Sequence, residues 1–233
     1  MIRYFRLLLI GCIFFIVIAF GGFTSAKSAD FQIPDTGYAL YIDLDIHKMT
    51  VYLDGQVFKT YPVSGGANET PSPVGLWYVD NISDWGGGFG GSWIGLNVPW
   101  GVYGIHGNKN PWFVGKTNVS HGCIRMINKD VFEIRQRISV GTVVFIKHDA
   151  LPFRNMGKGV KGSDVYDAQM MLYRLGFYTG TIDGIFGNGM THAVKSFQKT
   201  YSLPIDGVIH KETYDKITEQ ANILEALLLS RDK

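Results

Sequence analysis

The spacing of apolar residues changes once along this chain, and that change limits the folds open to it. Between residues 38 and 147 apolar residues recur mostly at every second position, as in "YALYIDL", which is the pattern of a half-buried β-strand, and the apolar run in "GTVVFIK" predicts one more, buried strand. From Ser163 onward they recur at helical spacing, as Val165, Ala168 and Leu172 show. The sequence therefore predicts a mainly β domain followed by a small helical domain.

Two local signals place elements inside the β region. Asp54-Gly55 lies between two alternating runs in "MTVYLDGQVFKTYPV", and this dipeptide predicts a tight β-hairpin. One stretch differs, "NKDVFEIRQRI", where Asn128 suits a helix cap and Asp130 suits the first helical turn. We therefore expect residues 30–150 to form one domain that is mainly β with one short helix.

A glycine-rich segment at 84–93, "DWGGGFGGSW", raises the question of a phosphate-binding loop. A phosphate cradle needs G-x-x-x-x-G-K-[ST] or G-x-G-x-x-G between a strand and a helix, and that context is missing here. We expect a mobile loop over a groove instead.

The helical region contains an internal repeat. "IDGIFGNGMTHAV" from Ile182 aligns without gaps to "IDGVIHKETYDKI" from Ile205, and each unit is an Asp-Gly turn followed by an amphipathic helix. With the helix before them, the two units predict a small three-helix domain over residues 163–218. The glycine-rich, basic stretch before it predicts a linker at 151–162, and the apolar residues after it predict a helical tail at 219–233.

These helices resemble a known domain. The segments "VYDAQMMLYRLGFYTGTIDGIFG", "AVKSFQ" and "LPIDGV" are similar to the peptidoglycan-binding domain found beside many cell-wall hydrolases and transpeptidases. The chain departs from that pattern at Met190, where the family usually has threonine, and at His210, where it usually has glycine. The resemblance implies that the wall polymer is a binding partner.

The first 29 residues are typical of an export signal. Arg3 and Arg6 precede an apolar stretch and then small residues, which favours a signal peptide, while the apolar run at 7–23 is long enough for an uncleaved membrane anchor. Either route predicts an extracytoplasmic location, in the cell wall or periplasm. The whole chain has formal charge +2, and cleavage after residue 26 removes two arginines and no acid, so we expect no nucleic-acid partner.

Cleavage also removes Cys12 and leaves Cys123 as an unpaired thiol, which outside the cytoplasm is reactive, intermolecular or buried. Two histidines are candidates to activate it: His121, which would share a strand face with Cys123, and His106, which a neighbouring strand could bring close. Gly122 permits a tight turn whose N–H groups could face an oxyanion. The residues alone leave open both a catalytic Cys–His site and a buried structural cysteine.

A second resemblance covers residues 38–147. "YGIHG" followed by "SHGCIRM", with "YPVSGG", "TPSPVGLW", "FGGSWIGL" and "GTVVFI", is similar to the L,D-transpeptidase catalytic domain of the YkuD type. The resemblance implies a β-sandwich with one short helix. It implies that Cys123 is the nucleophile, His106 the general base and the Gly107 carbonyl its orienting group. It also implies catalytic or oxyanion-site roles for His121 and Gly122, and substrate binding by Ser120 and Arg125.

That family implies an enzyme that cross-links or remodels peptidoglycan and needs no cofactor and no metal. Cys123 would attack the bond between the third, diamino acid residue of a tetrapeptide stem and its terminal D-alanine, and an amine of another stem would resolve the thioester. Water as the acceptor would make the protein an L,D-carboxypeptidase. The alternatives are a zinc peptidoglycan hydrolase with His106, His121 and Cys123 as ligands, and a non-enzymatic wall-binding or redox-sensing protein.

Overall fold

The computed structural model describes residues 31–231. The predicted export signal at 1–29, with its apolar run at 7–23, lies outside the described residues. Within residues 31–231 the first domain has one α-helix, α1 (Asn128–Arg135), and eight strands. The strands are β1 (Tyr38–Asp43), β2 (Lys48–Leu53), β3 (Gln56–Pro62), β4 (Gly75–Ser83), β5 (Trp93–Leu96), β6 (Tyr103–His106), β7 (Ile124–Arg125) and β8 (Val143–Lys147).

The strands form one sheet in the order β3-β2-β1-β8-β4-β5-β6-β7. Most neighbours are antiparallel, but β1 pairs with β8 and β6 pairs with β7 in parallel. Strand β4 bends the sheet, because its first half pairs with β8, its second half pairs with β5, and the register with β5 shifts between Val79 and Asn81. Such a bulge bends and twists a strand, and the result is a curled mixed sheet.

The predicted architecture is matched only in part. A β domain with one α-helix comes first, but its strands make one continuous sheet and not the two separate sheets of a sandwich. The continuity comes from β4, which is nine residues long and reaches both halves. Over residues 31–231, helical residues outnumber strand residues, so this part of the chain taken together is not mainly β.

The hairpin between β2 and β3 turns at the predicted Asp-Gly pair. Asp54 has φ 50° and Gly55 has φ 77°, and two left-handed residues are what the tight turn compatible with strand twist requires. The Asp54 carboxylate accepts a hydrogen bond from the Gly37 N–H at 2.7 Å. The turn is therefore tied to the residue just before β1.

The core of the first domain lies inside the curl of the sheet. Alternate residues point inward and are fully buried, as Leu40 and Ile42 are on β1 and as Val144 and Ile146 are on β8. Helix α1 packs its own buried face into the same cluster. Each fully buried aliphatic side chain contributes about 1.5–3 kcal/mol, so this cluster fixes the position of β6 and β7, which carry the candidate site.

Three helices follow: α2 (Ser163–Arg174), α3 (Asn188–Thr200) and α4 (Lys211–Arg231). Helix α4 is continuous and runs through residues 219–231, where we predicted a helical tail. Among the helices within residues 31–231, none is both long enough and apolar enough to cross a membrane.

A buried glutamine explains each unit of the Asp-Gly repeat. The side chain of Gln169 on α2 donates to Asp183 at 3.0 Å and accepts from the Gly184 N–H at 2.7 Å. On α3 the side chain of Gln198 accepts from the Gly207 N–H at 2.9 Å and donates to the aspartate of that turn. Because a buried amide left unpaired is costly, each glutamine fixes one turn and the start of the helix after it.

The helical domain packs on the β domain through Trp100. The Trp100 ring lies edge-on to Trp77 with 5.2 Å between centroids, and 5.8 Å from the ring of Tyr166 on α2. Gly184, with φ 68°, lies so close that a Cβ there would overlap the Trp100 ring. The segment that connects the domains is also held, because Met156 is fully buried in the helical core. The two domains therefore share an interface.

Candidate active site

His106 ends strand β6 and is almost completely buried, with 5% of its surface exposed. Its Nδ1 lies 2.5 Å from the carbonyl oxygen of Gly107. Since a carbonyl only accepts, this contact assigns the proton to Nδ1 and leaves the lone pair of Nε2 available. The arrangement orients a neutral imidazole that can accept a proton at Nε2.

Aromatic rings surround this imidazole. The ring of Phe89 lies edge-on at 4.8 Å between centroids, and that of Trp93 stacks at 5.8 Å. Trp85 stacks in turn on Trp93 at 3.9 Å, and the Gly107 N–H donates to the Phe89 carbonyl at 3.0 Å. The glycine-rich segment thus forms a wall against His106. Sequence reasoning singled out this segment as a mobile loop over a groove, but it did not predict that the aromatic residues would contact His106.

The parallel pairing of β6 and β7 brings Cys123 to the same face as His106. Ile105 pairs with Ile124 and His106 with Arg125, which sets Cys123 opposite Gly104. With strands about 4.8 Å apart and about 3.3 Å per residue, the Cα atoms of His106 and Cys123 are diagonal neighbours about 8 Å apart. An imidazole and a thiol that extend toward each other can span that distance.

Gly104 makes room for the ring of Trp93, which stacks on His106. A Cβ at Gly104 would lie 2.6 Å from the Ile94 carbonyl oxygen and 2.6 Å from Cζ2 of Trp93. The backbone of Gly104 also acts to lower the pKa of the Cys123 thiol. No side chain can therefore replace this glycine without displacing groups of the site, and sequence reasoning did not single it out.

Burial sets the protonation of the pair. Burial raises the pKa of the Cys123 thiol above its usual 9.0, and the backbone hydrogen bond of Gly104 and the charge of Arg125 offset this only in part. Burial also lowers the pKa of His106 below 6.5, against the opposing effect of its bond to Gly107. At neutral pH the resting site is therefore a neutral thiol beside a neutral imidazole, which suits proton transfer during attack rather than a preformed ion pair.

Ser120 holds the turn that carries the thiol. Its buried hydroxyl donates to the Cys123 carbonyl at 2.6 Å and accepts from the Gly122 N–H at 3.0 Å. Gly122 has φ 115°, and a Cβ there would lie 2.6 Å from the ring of Tyr103. The Gly122 N–H is engaged within the turn, so the backbone donor that remains of the expected oxyanion pair is the Cys123 N–H.

The two candidate histidines occupy different environments. His121 is exposed and lies on the wall of a groove between the two domains, whereas His106 is buried on the sheet face that carries Cys123. The geometry therefore favours His106 as the proton acceptor and leaves His121 at the rim.

Arg125 supplies a positive charge beside the pair. Its guanidinium lies over the ring of Phe113 at 5.4 Å, and its Nε is buried without a hydrogen-bond partner. None of the salt bridges formed within residues 31–231 includes Arg125. A substrate carboxylate would satisfy this cation, because a guanidinium matches a carboxylate in both charge and geometry.

Ligands for a metal are not assembled here. Across the described residues 31–231, no three His, Cys, Asp or Glu side chains are grouped so that they could hold a metal ion. His106, His121 and Cys123, the ligands that the zinc alternative requires, do not form such a group.

Known proteins resemble the chain in two regions. The L,D-transpeptidase catalytic domain family (YkuD) matches residues 37–146, and a peptidoglycan binding domain family matches residues 161–217. YkuD of Bacillus subtilis is 41% identical over 110 residues, which are 47% of this chain and 65% of that protein. YkuD of Bacillus licheniformis is 39% identical over 115 residues, which are 48% of this chain and 68% of that protein.

Among solved structures, an L,D-transpeptidase from Mycobacterium smegmatis is 23% identical, with a TM-score of 0.42. That alignment covers 48% of this chain and 58% of the solved chain. The chain spans about two thirds of the length of the two Bacillus relatives.

Proposed function

We propose that this chain, which belongs to the YkuD family of L,D-transpeptidases, cross-links or remodels peptidoglycan through a thioester on Cys123. The observation that carries the proposal is the placement of Cys123 and a buried His106 on one sheet face, with Nδ1 of His106 held by the Gly107 carbonyl. A peptidoglycan-binding domain on the same chain supports the wall polymer as the partner.

In the acylation step, Nε2 of His106 takes the proton of the Cys123 thiol as the sulfur attacks the stem peptide. The attacked carbonyl belongs to the diamino acid at the third position, and the new bond joins it to the sulfur. His106 then returns the proton to the nitrogen of D-alanine, the C–N bond breaks and D-alanine leaves. The Gly107 carbonyl stabilises the imidazolium that exists between these two transfers.

Two further groups assist this step. The Cys123 N–H is the backbone donor placed to bind the developing oxyanion, because the Gly122 N–H is engaged by Ser120. Arg125, which lacks an acidic partner among the described residues, binds a substrate carboxylate and so orients the stem.

In the second step an acceptor resolves the thioester. An amine of another stem forms a C–N bond as the C–S bond breaks, and His106 moves the proton from that amine to the Cys123 sulfur. Water as the acceptor gives an L,D-carboxypeptidase with the same residues. Binding of the polymer by the helical domain raises the effective concentration of both substrates. Such a reaction belongs outside the cytoplasm, in the wall or periplasm, where its substrate lies.

The test uses soluble muropeptides with a tetrapeptide stem. Mass spectrometry should show release of D-alanine and a transient acyl adduct on the protein. Cys123→Ala should abolish both, since alanine offers no atom to acylate. His106→Ala should slow acylation by about 10²–10⁴, whereas His192→Ala, which removes an exposed histidine of α3, should not slow it.

Two outcomes contradict the proposal or its assignments. Release of D-alanine by Cys123→Ala at the wild-type rate would show that the thiol is not the nucleophile. Slow acylation in His121→Ala together with normal acylation in His106→Ala would exchange the roles of the two histidines.

A further inference from the structure

A groove with a volume of about 650 Å³ lies between the two domains. One wall is the loop at 68–74 of the β domain, and the other is formed by helices α2 and α4 with the connecting segment at 151–156. The close packing of Trp100 on Gly184 fixes the domains against each other. The groove is therefore formed before any ligand binds, as most binding sites are.

One end of the groove reaches the turn that carries the nucleophile. Tyr103 and His121 line the groove, and the ring of Tyr103 lies against Gly122, the residue before Cys123. The carbonyl oxygen of Pro71, from the loop wall, also lies 3.2 Å from the position of a Cβ on Gly122. A ligand bound against Tyr103 and His121 would therefore lie beside the turn that carries Cys123.

The other end combines aromatic rings with polar groups. The rings of Phe153 and Tyr214 contact each other at 5.6 Å between centroids, and Phe153 is 40% exposed. Asp167 of α2 lies beside them, half-buried, and it forms no ion pair within residues 31–231. Such a surface suits a sugar with an attached peptide. The rings can pack against the C–H groups of the sugar, and the neighbouring polar groups can bind its hydroxyls and the peptide amides.

Charge in the groove also fits a ligand that is close to neutral. Three of its carboxylates are already paired with cations, as Lys147–Asp149, Arg154–Asp164 and Lys211–Asp215. Two further charged side chains of the lining, Glu69 and Lys161, have opposite signs. Burial, and then the neighbouring charge of Asp164, raises the pKa of Asp167 to about 7. Near neutral pH its carboxyl both donates and accepts hydrogen bonds, which matches hydroxyl and amide partners better than ions.

We propose that this groove is an extended substrate site, in which a peptidoglycan strand lies with its glycan on Phe153, Tyr214 and Asp167 and its stem peptide directed past Tyr103 toward Cys123. The helical domain is then part of the site that presents the substrate and not only an anchor. This inference rests on the function proposed above, since the occupant is the substrate of Cys123.

The experiment compares two substrates of the full-length protein, a free tetrapeptide stem and the same stem attached to a short glycan chain. Phe153→Ala and Asp167→Ala should each raise KM for the glycan-bearing substrate by about three- to tenfold, the usual effect of one lost contact. Both variants should leave kcat/KM for the free stem within twofold of wild type. Matched controls are Phe132→Ala, an exposed phenylalanine of α1, and Asp35→Ala, which removes an exposed carboxylate outside the groove.

Asp167→Asn should keep KM for the glycan-bearing substrate close to wild type, because its amide retains the shape of the side chain and still donates and accepts hydrogen bonds. Unchanged KM for the glycan-bearing substrate in Phe153→Ala and Asp167→Ala overturns the inference, as does an equal rise in the control variants. Equal rises for the free and the glycan-bearing stems overturn it too, because the groove would then not bind glycan. Absence of D-alanine release from the free stem by the wild type would instead refute the proposed function itself.

Discussion

Replacing Gly104 by alanine should disturb the fold and the site together, because Gly104 is the sheet position that faces Cys123. The added Cβ would lie 2.6 Å from the Ile94 carbonyl oxygen and 2.6 Å from Cζ2 of Trp93, where ordinary contacts begin at 3.4 Å. The Ile94 oxygen belongs to the backbone of β5, so it cannot turn away as a flexible side chain can. Relief requires β5 and β6 to move apart by most of an ångström.

The size of the effect follows from that displacement. Overpacking of this kind costs about 1–3 kcal/mol, and a protein of this size loses about 2–4 °C of Tm per kcal/mol. A cost of about 2 kcal/mol therefore lowers Tm by roughly 4–8 °C. The rate of acylation should fall by about 10²-fold, the usual cost of moving a reacting group by about 1 Å, because the ring of Trp93, which the added Cβ would displace, stacks on His106.

Calorimetry and single-turnover acylation by a soluble tetrapeptide stem measure the two effects. Gly88→Ala is the matched control, since Gly88 has no atom within 4 Å of its Cβ position and needs no left-handed φ. It should keep both Tm and acylation rate close to wild type. Wild-type acylation by Gly104→Ala would refute the argument that Trp93, packed on this glycine, positions His106.

Two further predictions concern the protonation of the site and the contact between the domains. Alkylation of Cys123 by iodoacetamide should still accelerate above pH 9, because burial raises the pKa of the thiol. The rate of acylation should fall only below pH 6.5 on the acid side, because burial lowers the pKa of His106. An alkylation rate that reaches its plateau near neutral pH would instead show a preformed thiolate. Gly184→Ala should expose the segment at 151–162 to limited proteolysis, since a left-handed alanine costs about 1–2 kcal/mol and its Cβ overlaps Trp100. The control Gly187→Ala has open space at its Cβ position, and equal protection of both variants would show that the Trp100 contact does not hold the domains together.

Local elements were predictable because local chemistry determines them. The Asp54-Gly55 hairpin forms where expected, since few residue pairs adopt two successive positive φ angles. The helix α1 and the two repeat units also form near their predicted positions. The structural cause of the repeat could not be predicted from the spacing of apolar residues. Each turn is held by a glutamine of the helix before it, Gln169 for the first turn and Gln198 for the second, and neither glutamine belongs to the turn itself.

The sheet was less predictable because its order depends on pairs that are distant in sequence. Strand β8 lies between β1 and β4, about one hundred residues from the first and more than sixty from the second. The alternation of apolar and polar residues predicts which side chains point inward, but it does not predict which strands become neighbours in the sheet. The bulge in β4 that turns a sandwich into one curled sheet carries no sequence signal of its own.

At the candidate site, the sequence singled out Cys123 and His106 but not the residues that surround them. Cys123 and His106 are residue types with chemistry of their own, so spacing and resemblance single them out. Phe89 and Trp93 contact the His106 ring, and Gly104 makes room for Trp93. These contacts depend on how β5, β6 and the glycine-rich segment pack together, which the sequence pattern does not specify. The hydrogen bond from the Gly122 N–H to the Ser120 hydroxyl was likewise not predictable, because it depends on the geometry of the turn. This bond occupies a donor that we expected to face the oxyanion.

Strand β6 and the residues just before it connect these features. Within seven residues the chain carries Trp100, which contacts the helical domain, Tyr103, which lies against Gly122, Gly104, which lies opposite Cys123, and His106, the proposed base. Five residues separate Trp100 from His106, and the last of them belong to β6. We therefore expect a change in the packing of Trp100 on the helical domain to shift His106, and a strand bound in the groove to contact Tyr103 between the two.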